Sequence, residues 1–226
     1  MTSSDQAGAD RRGFLVGAAA VMVGGWWTAS GSAYAEPSEL PLPGETIRCV
    51  STARGVVLRT LVGSGSVDVD CAIALRVEAD PTDGLGRTRR LRVLDHRMRG
   101  RSTEFGEISI VQEPEHPRSL PPSTIRRLDD ASPRYALRLV CSQLEMQVER
   151  VHADLLERVG LPLGLGEQSA TLVTTGPLVL ENDHLSSWRF QHHTLASRRK
   201  VELAFADLPA MTVATIEPFT IDAMHA

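Results

Sequence analysis

The sequence predicts a mostly β protein, an antiparallel β-sandwich or barrel with one short amphipathic helix. The main observation is that apolar and polar residues alternate over residues 66–77, as in a strand with one buried and one solvated face. Further strand-like segments, about eight to ten in all, recur with turn-forming residues between them. The long alternation of strands and helices that is typical of a parallel α/β sheet does not occur in the sequence.

The first part of the chain is predicted to contain four strands. The clearest one has an apolar face formed by Val67, Val69, Cys71, Ile73, Leu75 and Val77. The other three are predicted over residues 55–62, 88–98 and 105–112. If the last two form a hairpin that turns near Ser102, Arg97 lies opposite Glu107. This register pairs opposite charges on one face and apolar residues on the other.

The second part of the chain is predicted to contain the helix among further strands. Apolar residues recur at helical spacing over residues 146–159, and Gly160 and Pro162 then supply a stop signal. The strands are predicted over residues 135–141, 171–180, 188–193, 201–205 and 211–216.

A proline-rich segment over residues 113–123 separates these two parts. We therefore expect residues 46–226 to form a single β-rich domain in two halves that this segment joins. Residues 36–45 are a proline-rich leader to that domain. Residues 1–35 differ in composition, because a polar start, an apolar run rich in Gly and Ala, and a stretch of small residues follow one another.

Residues 1–35 also carry the pattern of an export signal. The core pattern R-R-x-F-L is matched by Arg11, Arg12, Phe14 and Leu15. An A-x-A cleavage pattern is formed by Ala33 and Ala35. The segment resembles a twin-arginine (Tat) export signal, although Asp10 and Val16 depart from the usual flanking residues. Its apolar run of about 15 residues is shorter than the roughly 20 of a spanning helix, which favours a cleaved signal over a membrane anchor.

The resemblance implies that the Tat translocase exports the chain after it has folded in the cytoplasm. The mature protein would then begin at Glu36 and be secreted or periplasmic, without a permanent membrane anchor. Some Tat cargo is loaded with a cofactor before export, but fast folding or export with a partner explains the signal equally well. No cofactor is therefore predicted.

The composition narrows the classes of partner. The net charge of −4 argues against a nucleic-acid partner. Aromatic residues make up 4% of the chain, which argues against a carbohydrate module because sugar-binding surfaces use stacking rings. Three cysteines allow one disulfide in an oxidising compartment, and Cys71 and Cys141 are the predicted pair because both lie on apolar strand faces. The alternative is that all three are small buried residues.

An arginine-rich segment over residues 87–101 is a candidate anion-binding site. The side chains that would hold phosphate, a wall polymer or anionic lipid are Arg87, Arg89, Arg97, Arg99 and Arg101. The favoured interpretation is a solvated strand face whose charges are neutralised by a neighbouring strand.

No metal site and no catalytic residue are predicted. His192 and His193 would point to opposite faces of a strand, so the two rings would not bind one ion. Glu149 and His152 have the spacing of a dimetal motif on the predicted helix, but such sites need two motifs on a helix bundle. The motifs of α/β-hydrolases, zinc proteases and phosphate-binding loops are absent from the sequence.

The apolar strand faces would either fill a sandwich core or line a pocket inside a closed barrel. The residues concerned are Val67, Val69, Ile73, Leu75, Leu137 and Leu139. The first functional hypothesis is an exported binding or accessory module for a partner protein, an envelope component or a small apolar ligand. The alternative is a secreted hydrolase, isomerase or cyclase that uses an acid–base pair, and a third hypothesis is a chaperone for another Tat cargo. A His–acid pair at the bottom of a pocket would favour the enzyme.

Overall fold

The computed structural model describes residues 40–112, 120–129, 134–161, 168–189 and 193–225. These residues form thirteen β-strands, which pair in antiparallel fashion, and one short α-helix. The predicted fold class is confirmed. The predicted Tat signal lies outside the described residues. In the part of the chain that is described, no helix is long and apolar enough to cross a membrane.

The strands follow one another along the chain, and the helix lies between the seventh and the eighth. They are β1 Thr46–Thr60, β2 Ser64–Ala79, β3 Thr88–Ser102, β4 Gly106–Gln112, β5 Ser123–Arg127, β6 Tyr135–Cys141, β7 Leu144–Val151, α1 Ala153–Arg158, β8 Gln168–Thr174, β9 Leu178–Leu185, β10 His193–Ser197, β11 Val201–Phe205, β12 Leu208–Ile216 and β13 Phe219–His225.

The hydrogen-bonded strand order closes on itself twice. From β1-β2-β3, one closed path continues through β4, β7, β8, β11 and β12 and returns to β1. The other path leaves β3 through β5, β6, β9, β10 and β13 and also returns to β1. We refer to these two eight-stranded closed paths as the first ring and the second ring. The arrangement is therefore barrel-like, and closure leaves few unpaired strand edges.

The three long strands serve both rings because their two ends have different neighbours. Residues 58–60 of β1 pair with β12, whereas residues 49–52 pair with β13. Residues 97–102 of β3 pair with β4, and residues 88–91 pair with β5. Gly55, with a φ of 63°, lies at the irregularity between the two regions of β1, where a bulge bends the strand.

The core is formed by inward-facing residues of both rings. Alternate residues of β2 are buried from Val67 to Val77, and the exposed residues between them include Asp68 and Asp70. This confirms the predicted alternation in the strand. Burial of one aliphatic side chain stabilises the fold by about 2 kcal/mol. The alternation of apolar and polar residues therefore determines which face of β2 turns inward.

The helix is shorter than predicted. Residues 146–151, which were expected to be helical, belong to strand β7, and α1 has only six residues. β7 is hydrogen-bonded to β4 on one side and to β8 on the other. These pairings override the helical spacing of Val148 and Val151, since strand formation depends strongly on tertiary context.

The hairpin between β3 and β4 forms, but the predicted register is wrong. Arg101 lies opposite Glu107, and Arg97 lies opposite Val111. The prediction placed the turn too early, because β3 continues to Ser102 and the turn spans residues 103–105. The pairing moves by an even number of residues, so Arg97 and His96 keep their predicted faces, whereas Leu94, which was expected on the same face as His96, is exposed at an irregularity of β3.

Four further differences concern strand positions. The predicted strand over residues 171–180 is in fact the end of β8 and the start of β9, with a bend between them. Strands β5 and β13 were not predicted. The predicted strand over residues 188–193 is wrong at its start, because Trp188 and Arg189 lie in a bend, while His193 begins β10. The intervening His192 lies outside the described residues.

Candidate functional site

The first ring has a pocket at one end, which we name the mouth pocket. It lies where the β1–β2 turn, the β3–β4 turn and the start of α1 meet, and its volume is about 150 Å³. Its apolar lining is formed mainly by Leu58, Phe105, Val148, Leu155, Leu172 and Phe205. Its polar lining is formed by Thr60, Ser64, Glu104 and His152, which come from the turns and from the start of the helix.

A second space, the inner cavity, adjoins the mouth pocket and is lined mostly by first-ring strands, with Leu178, Phe219 and Ile221 contributed by the second ring. Its volume is about 40 Å³, and Leu58 lines both spaces. Thr174 is the single polar residue of the described lining, and its hydroxyl accepts a hydrogen bond from the Leu144 backbone N–H at 3.0 Å. A molecule that enters the ring therefore meets apolar groups at its inner end.

The residues that were expected to line either a pocket or a core are divided between the two rings. Val67 and Val69 line the inner cavity. The other four are buried core residues on strand segments of the second ring, and they are Ile73, Leu75, Leu137 and Leu139. Each of the two interpretations is therefore correct for part of the molecule.

Hydrogen bonds to Thr60 hold the β1–β2 turn at the mouth. The Thr60 hydroxyl donates to the Gly63 carbonyl at 3.0 Å and accepts from the Gly63 N–H at 3.1 Å. Arg158, in the last turn of α1, donates to the Leu61 carbonyl at 3.5 Å. The turn and the helix that border the pocket are thus tied together. The apolar face of the helix, formed by Leu155 and Leu156, is buried.

Gly65 makes room for two side chains of the opposite turn. It occupies a buried position of β2, and a Cβ atom there would lie 2.8 Å from Glu104 Oε2 and 2.9 Å from Phe105 Cε2. Such distances are shorter than van der Waals contact, so only glycine leaves the space that these groups occupy. The glutamate carboxylate and the phenylalanine ring therefore reach across the inward-facing side of β2.

Ser102 orients the Glu104 carboxylate. The buried Ser102 hydroxyl donates to Glu104 Oε2 at 2.7 Å, and the Glu104 backbone N–H donates to Ser102 Oγ at 3.2 Å. Hydrogen bonds from Ser102 and Thr103 hold the pKa of the Glu104 carboxyl below its ordinary value. The group is therefore an anion at neutral pH.

His152 also lines the mouth pocket and lies immediately before α1. Its Nδ1 is 3.9 Å from Asp154 Oδ2, and about three quarters of each side chain is exposed. His152 and Glu149 do not share a helix, because Glu149 belongs to β7. The helical dimetal motif that their spacing resembles is therefore not formed. Within the described residues, no group of three or more His, Cys, Asp or Glu side chains is arranged to hold a metal ion.

Comparison with known proteins gives a structural relative. No family model matches the chain, and a comparison with curated proteins finds no match. The chain is similar to the solved structure of DynF from the dynemicin biosynthesis pathway of Micromonospora chersina, with a TM-score of 0.58 and 15% sequence identity. The similarity covers 81% of this chain and 82% of the DynF chain. The two chains share a fold.

Of the polar residues at the mouth pocket, His152 was considered from the sequence only as part of a dimetal spacing, and Glu104 was not considered. Glu104 lies in the β3–β4 turn, His152 lies between β7 and α1, and Gly65, beside Glu104, lies in β2, so they come together only because the first ring closes. The signals available were a glycine-serine turn before the clearest strand and a Ser-x-Glu turn after an arginine-rich strand. Both are common turn compositions and indicate a turn without indicating a site.

The five arginines of the candidate anion site are spread along β3. Arg97, Arg99 and Arg101 lie near its C-terminal end, whereas Arg87 and Arg89 lie at its N-terminal end. Arg97 lies eight positions after Arg89 along the strand, which corresponds to about 26 Å. The structure thus divides the five side chains into two separate groups.

Arg89 and Arg97 each have local partners. Arg89 donates to the Gly86 carbonyl at 3.0 Å and to the Pro41 carbonyl at 3.3 Å, so it fastens the loop before β3 to the leader. Arg97 pairs with Asp95 at 3.0 Å, and both side chains are largely exposed. Exposed pairs of this kind contribute at most about 1 kcal/mol.

Arg99 and Arg101 line an open groove of about 970 Å³ on the outer face of the first ring. Arg54 also lines the groove and lies 3.4 Å from Asp70 and 3.7 Å from Asp68. The described lining holds three arginines together with the four acids Asp68, Asp70, Glu107 and Glu149. Because the acids balance the arginines, this arrangement supports the interpretation as a solvated, neutralised strand face.

The three cysteines are buried free thiols. Burial raises the pKa of Cys49 and of Cys141 to about 12, and it also raises the pKa of Cys71. Cys71 interacts electrostatically with both of the other thiols, so the three lie in one region of the core. The predicted Cys71–Cys141 disulfide is not formed in the structure, although the two residues are neighbours.

His96 is buried at the point where β3 passes from one ring to the other. It lies between the residues that pair with β5 and those that pair with β4. Its Nδ1 is 3.3 Å from Gln112 Oε1, and Gln112 Nε2 donates to the Ser142 hydroxyl at 3.5 Å. Burial lowers the pKa of His96 to about 4, so its ring is neutral at physiological pH.

Proposed function

We propose that this protein is a binding module that holds a small apolar molecule in the mouth of the first ring. The observation that carries the proposal is the mouth pocket of about 150 Å³, which is largely apolar and adjoins the apolar inner cavity. An apolar cavity of about 150 Å³ holds a molecule the size of benzene. The part of the ligand inside the pocket would therefore contain about six to eight non-hydrogen atoms.

A titration with toluene, followed by ligand-observed NMR, tests this proposal. Val62 is a half-buried lining residue of the mouth pocket, and Val62→Phe would fill part of its space. Val57 is half-buried on the opposite face of β1, so Val57→Phe is a matched control. We expect toluene to bind the unaltered chain and the control, and to bind V62F at least fivefold more weakly. Absence of toluene binding to the unaltered chain would refute the proposal.

An enzyme that uses an acid–base pair is the second candidate, and one observation favours it. Glu104 and His152 both line the mouth pocket. Both lie at the rim and not at the bottom, which is why we place this candidate second. Proton abstraction next to a carbonyl group is the reaction class that such a pair would support.

Hydrogen–deuterium exchange at the methyl group of acetophenone in D₂O tests the enzyme. Catalysis would appear as exchange that depends on protein concentration and is lost in both Glu104→Gln and His152→Ala. Exchange no faster than in buffer, together with toluene binding, would leave the binding module as the function.

We further propose that the chain is exported by the Tat pathway, on the basis of the signal pattern at Arg11 and Arg12. In a host with a Tat translocase, the double change to Lys at these two positions should keep the full-length chain in the cytoplasm. Export that continues unchanged would exclude this route.

A further inference from the structure

The Glu104 carboxylate is held in a fixed position at the rim of the mouth pocket. Two independent contacts hold it there. The buried hydroxyl of Ser102 donates to its Oε2 at 2.7 Å, and the space above the buried Gly65 is occupied by the same oxygen. The carboxylate therefore lies at the entrance of an apolar pocket, although part of the residue is exposed to solvent.

No basic side chain among the described residues pairs with this carboxylate. Arg158, the basic residue of α1, donates a hydrogen bond from its guanidinium to the Leu61 carbonyl. At the same pocket, His152 lies beside Asp154, which is a second acid. The Thr60 hydroxyl is already engaged as donor and acceptor within its own turn. Among the described residues, the Glu104 carboxylate at the rim is therefore a negatively charged hydrogen-bond acceptor that has hydroxyl donors but no counter-ion.

We propose that the ligand of the mouth pocket is a small amine with an apolar body, whose ammonium group binds the Glu104 carboxylate. This inference rests on the proposed function, because it names the ligand class of the same pocket. The apolar body would occupy the space between Phe105, Leu155 and Phe205, and the ammonium group would remain at the rim. A carboxylate still has free lone pairs after one hydrogen bond, and an ammonium group offers three donors.

The charge of the ligand follows from the same geometry. A neutral apolar molecule would leave the carboxylate facing an apolar neighbour, and an acid would bring a second negative charge next to Glu104. An ammonium group instead makes a charge-assisted hydrogen bond, which is about twice as strong as a neutral one. Partial exposure of the rim reduces the gain, so we expect a preference of about tenfold over a neutral analogue.

Isothermal titration at pH 7 and low salt with benzylamine, benzyl alcohol and benzoate tests the proposal. The three probes share a ring and differ in charge at one end. We expect benzylamine to bind about tenfold more tightly than benzyl alcohol, and benzoate to bind most weakly. In Glu104→Gln, benzylamine and benzyl alcohol should bind with equal affinity.

Glu157→Gln is the matched control. Glu157 is exposed on α1 and does not line the mouth pocket, so its removal changes the net charge by the same amount. The preference for benzylamine should persist in this variant. If E157Q reduces the preference for benzylamine as much as E104Q does, the preference comes from the net charge of the surface, and the proposed contact with Glu104 is wrong.

The outcomes separate this inference from the proposed function. If benzyl alcohol binds as tightly as benzylamine and E104Q changes neither affinity, the amine assignment is overturned while binding in the pocket stands. If none of the three probes and no toluene binds, the proposed function itself fails. Because Glu104 is exposed and makes its hydrogen bonds within one turn, the variant should fold, and its near-UV circular dichroism checks this.

Discussion

The two rings use the same three long strands but fill their interiors differently. Nine of the eleven large side chains with the lowest exposure lie on strand segments of the second ring, and they are Ile47, Leu75, Val77, Ile125, Tyr135, Leu137, Val140, Leu178 and Leu185. The mouth pocket instead lies in the first ring, and the inner cavity lies between first-ring strands and Leu178, Phe219 and Ile221 of the second ring. The second ring thus holds most of the large side chains that are sealed from solvent, and the first ring holds the pocket that opens to solvent.

The largest expected effect is a difference in stability between matched leucine truncations. Leu137→Ala in the second ring should lower the free energy of unfolding by about 3–4 kcal/mol, since the cavity left behind has close neighbours on all sides. Leu172→Ala at the mouth pocket should cost only about 2 kcal/mol, because one side of Leu172 already faces open space. Urea unfolding measures both, and equal losses would remove the packing contrast between the rings.

The next effect concerns the junction between the rings. The folded pKa of His96 is about 4, below the ordinary value of 6.5, so the unfolded chain binds a proton more readily than the folded chain. The stabilisation is present above pH 6.5 and is lost as the pH falls from 6.5 towards 4, with a total of about 3 kcal/mol.

His96→Gln tests the pH effect, because it keeps a polar group beside Gln112 but cannot titrate. Its free energy of unfolding should vary less between pH 6.5 and 4 than that of the unaltered chain. The same slope in both proteins would show that other groups cause the pH dependence.

A smaller effect is expected at the mouth. Gly65→Ala would force Glu104 and Phe105 to move, with a loss of about 1–2 kcal/mol in stability and a weaker preference for benzylamine. Gly176→Ala is the control, because no atom lies within 4 Å of its added Cβ and Gly176 does not line the mouth pocket. Thermal unfolding and benzylamine titration of both variants measure the difference. If the two alanines behave alike, Gly65 is not needed to position the carboxylate.

The smallest effect is on reactivity and not on stability. Burial and raised pKa values should keep the thiols of Cys49, Cys71 and Cys141 unmodified by iodoacetamide at pH 8 in the folded chain. All three should react after denaturation, as counted by intact mass. A denatured but unreduced chain that takes up a single label would instead reveal a disulfide, such as the predicted Cys71–Cys141 pair.

The sequence predicted the features of the fold that depend on local alternation. Strand β2 was found because its burial follows a period of two over its whole length. Strand β7 was missed because Val148, Val151, Leu155 and Val159 also fit a helical period, and only pairing with β4 and β8 decides between the two. Ring closure was left open, since a sandwich and a barrel have the same one-sided strands.

The candidate site was less accessible to sequence analysis because it depends on closure. Val67 and Val69 were named as candidate pocket residues, and they do line the inner cavity. Glu104 gave no signal, because a single acid in a turn has many structural roles, and His152 was noted only for a dimetal spacing that the structure does not form. Their shared pocket arises only when β7 pairs with β4 and brings α1 to the β3–β4 turn.

The sharing of β1 between the two rings also determines when the chain can fold. Each ring closes only when β1 meets one of the last two strands, through Leu58 with Ile216 and through Thr52 with Asp222. These partners are roughly 160 and 170 residues apart in the sequence, and contacts over such separations form slowly. During synthesis neither ring can close until the C-terminal strands have left the ribosome. The nascent chain must therefore keep the apolar face of β2 from aggregating until β12 and β13 have emerged.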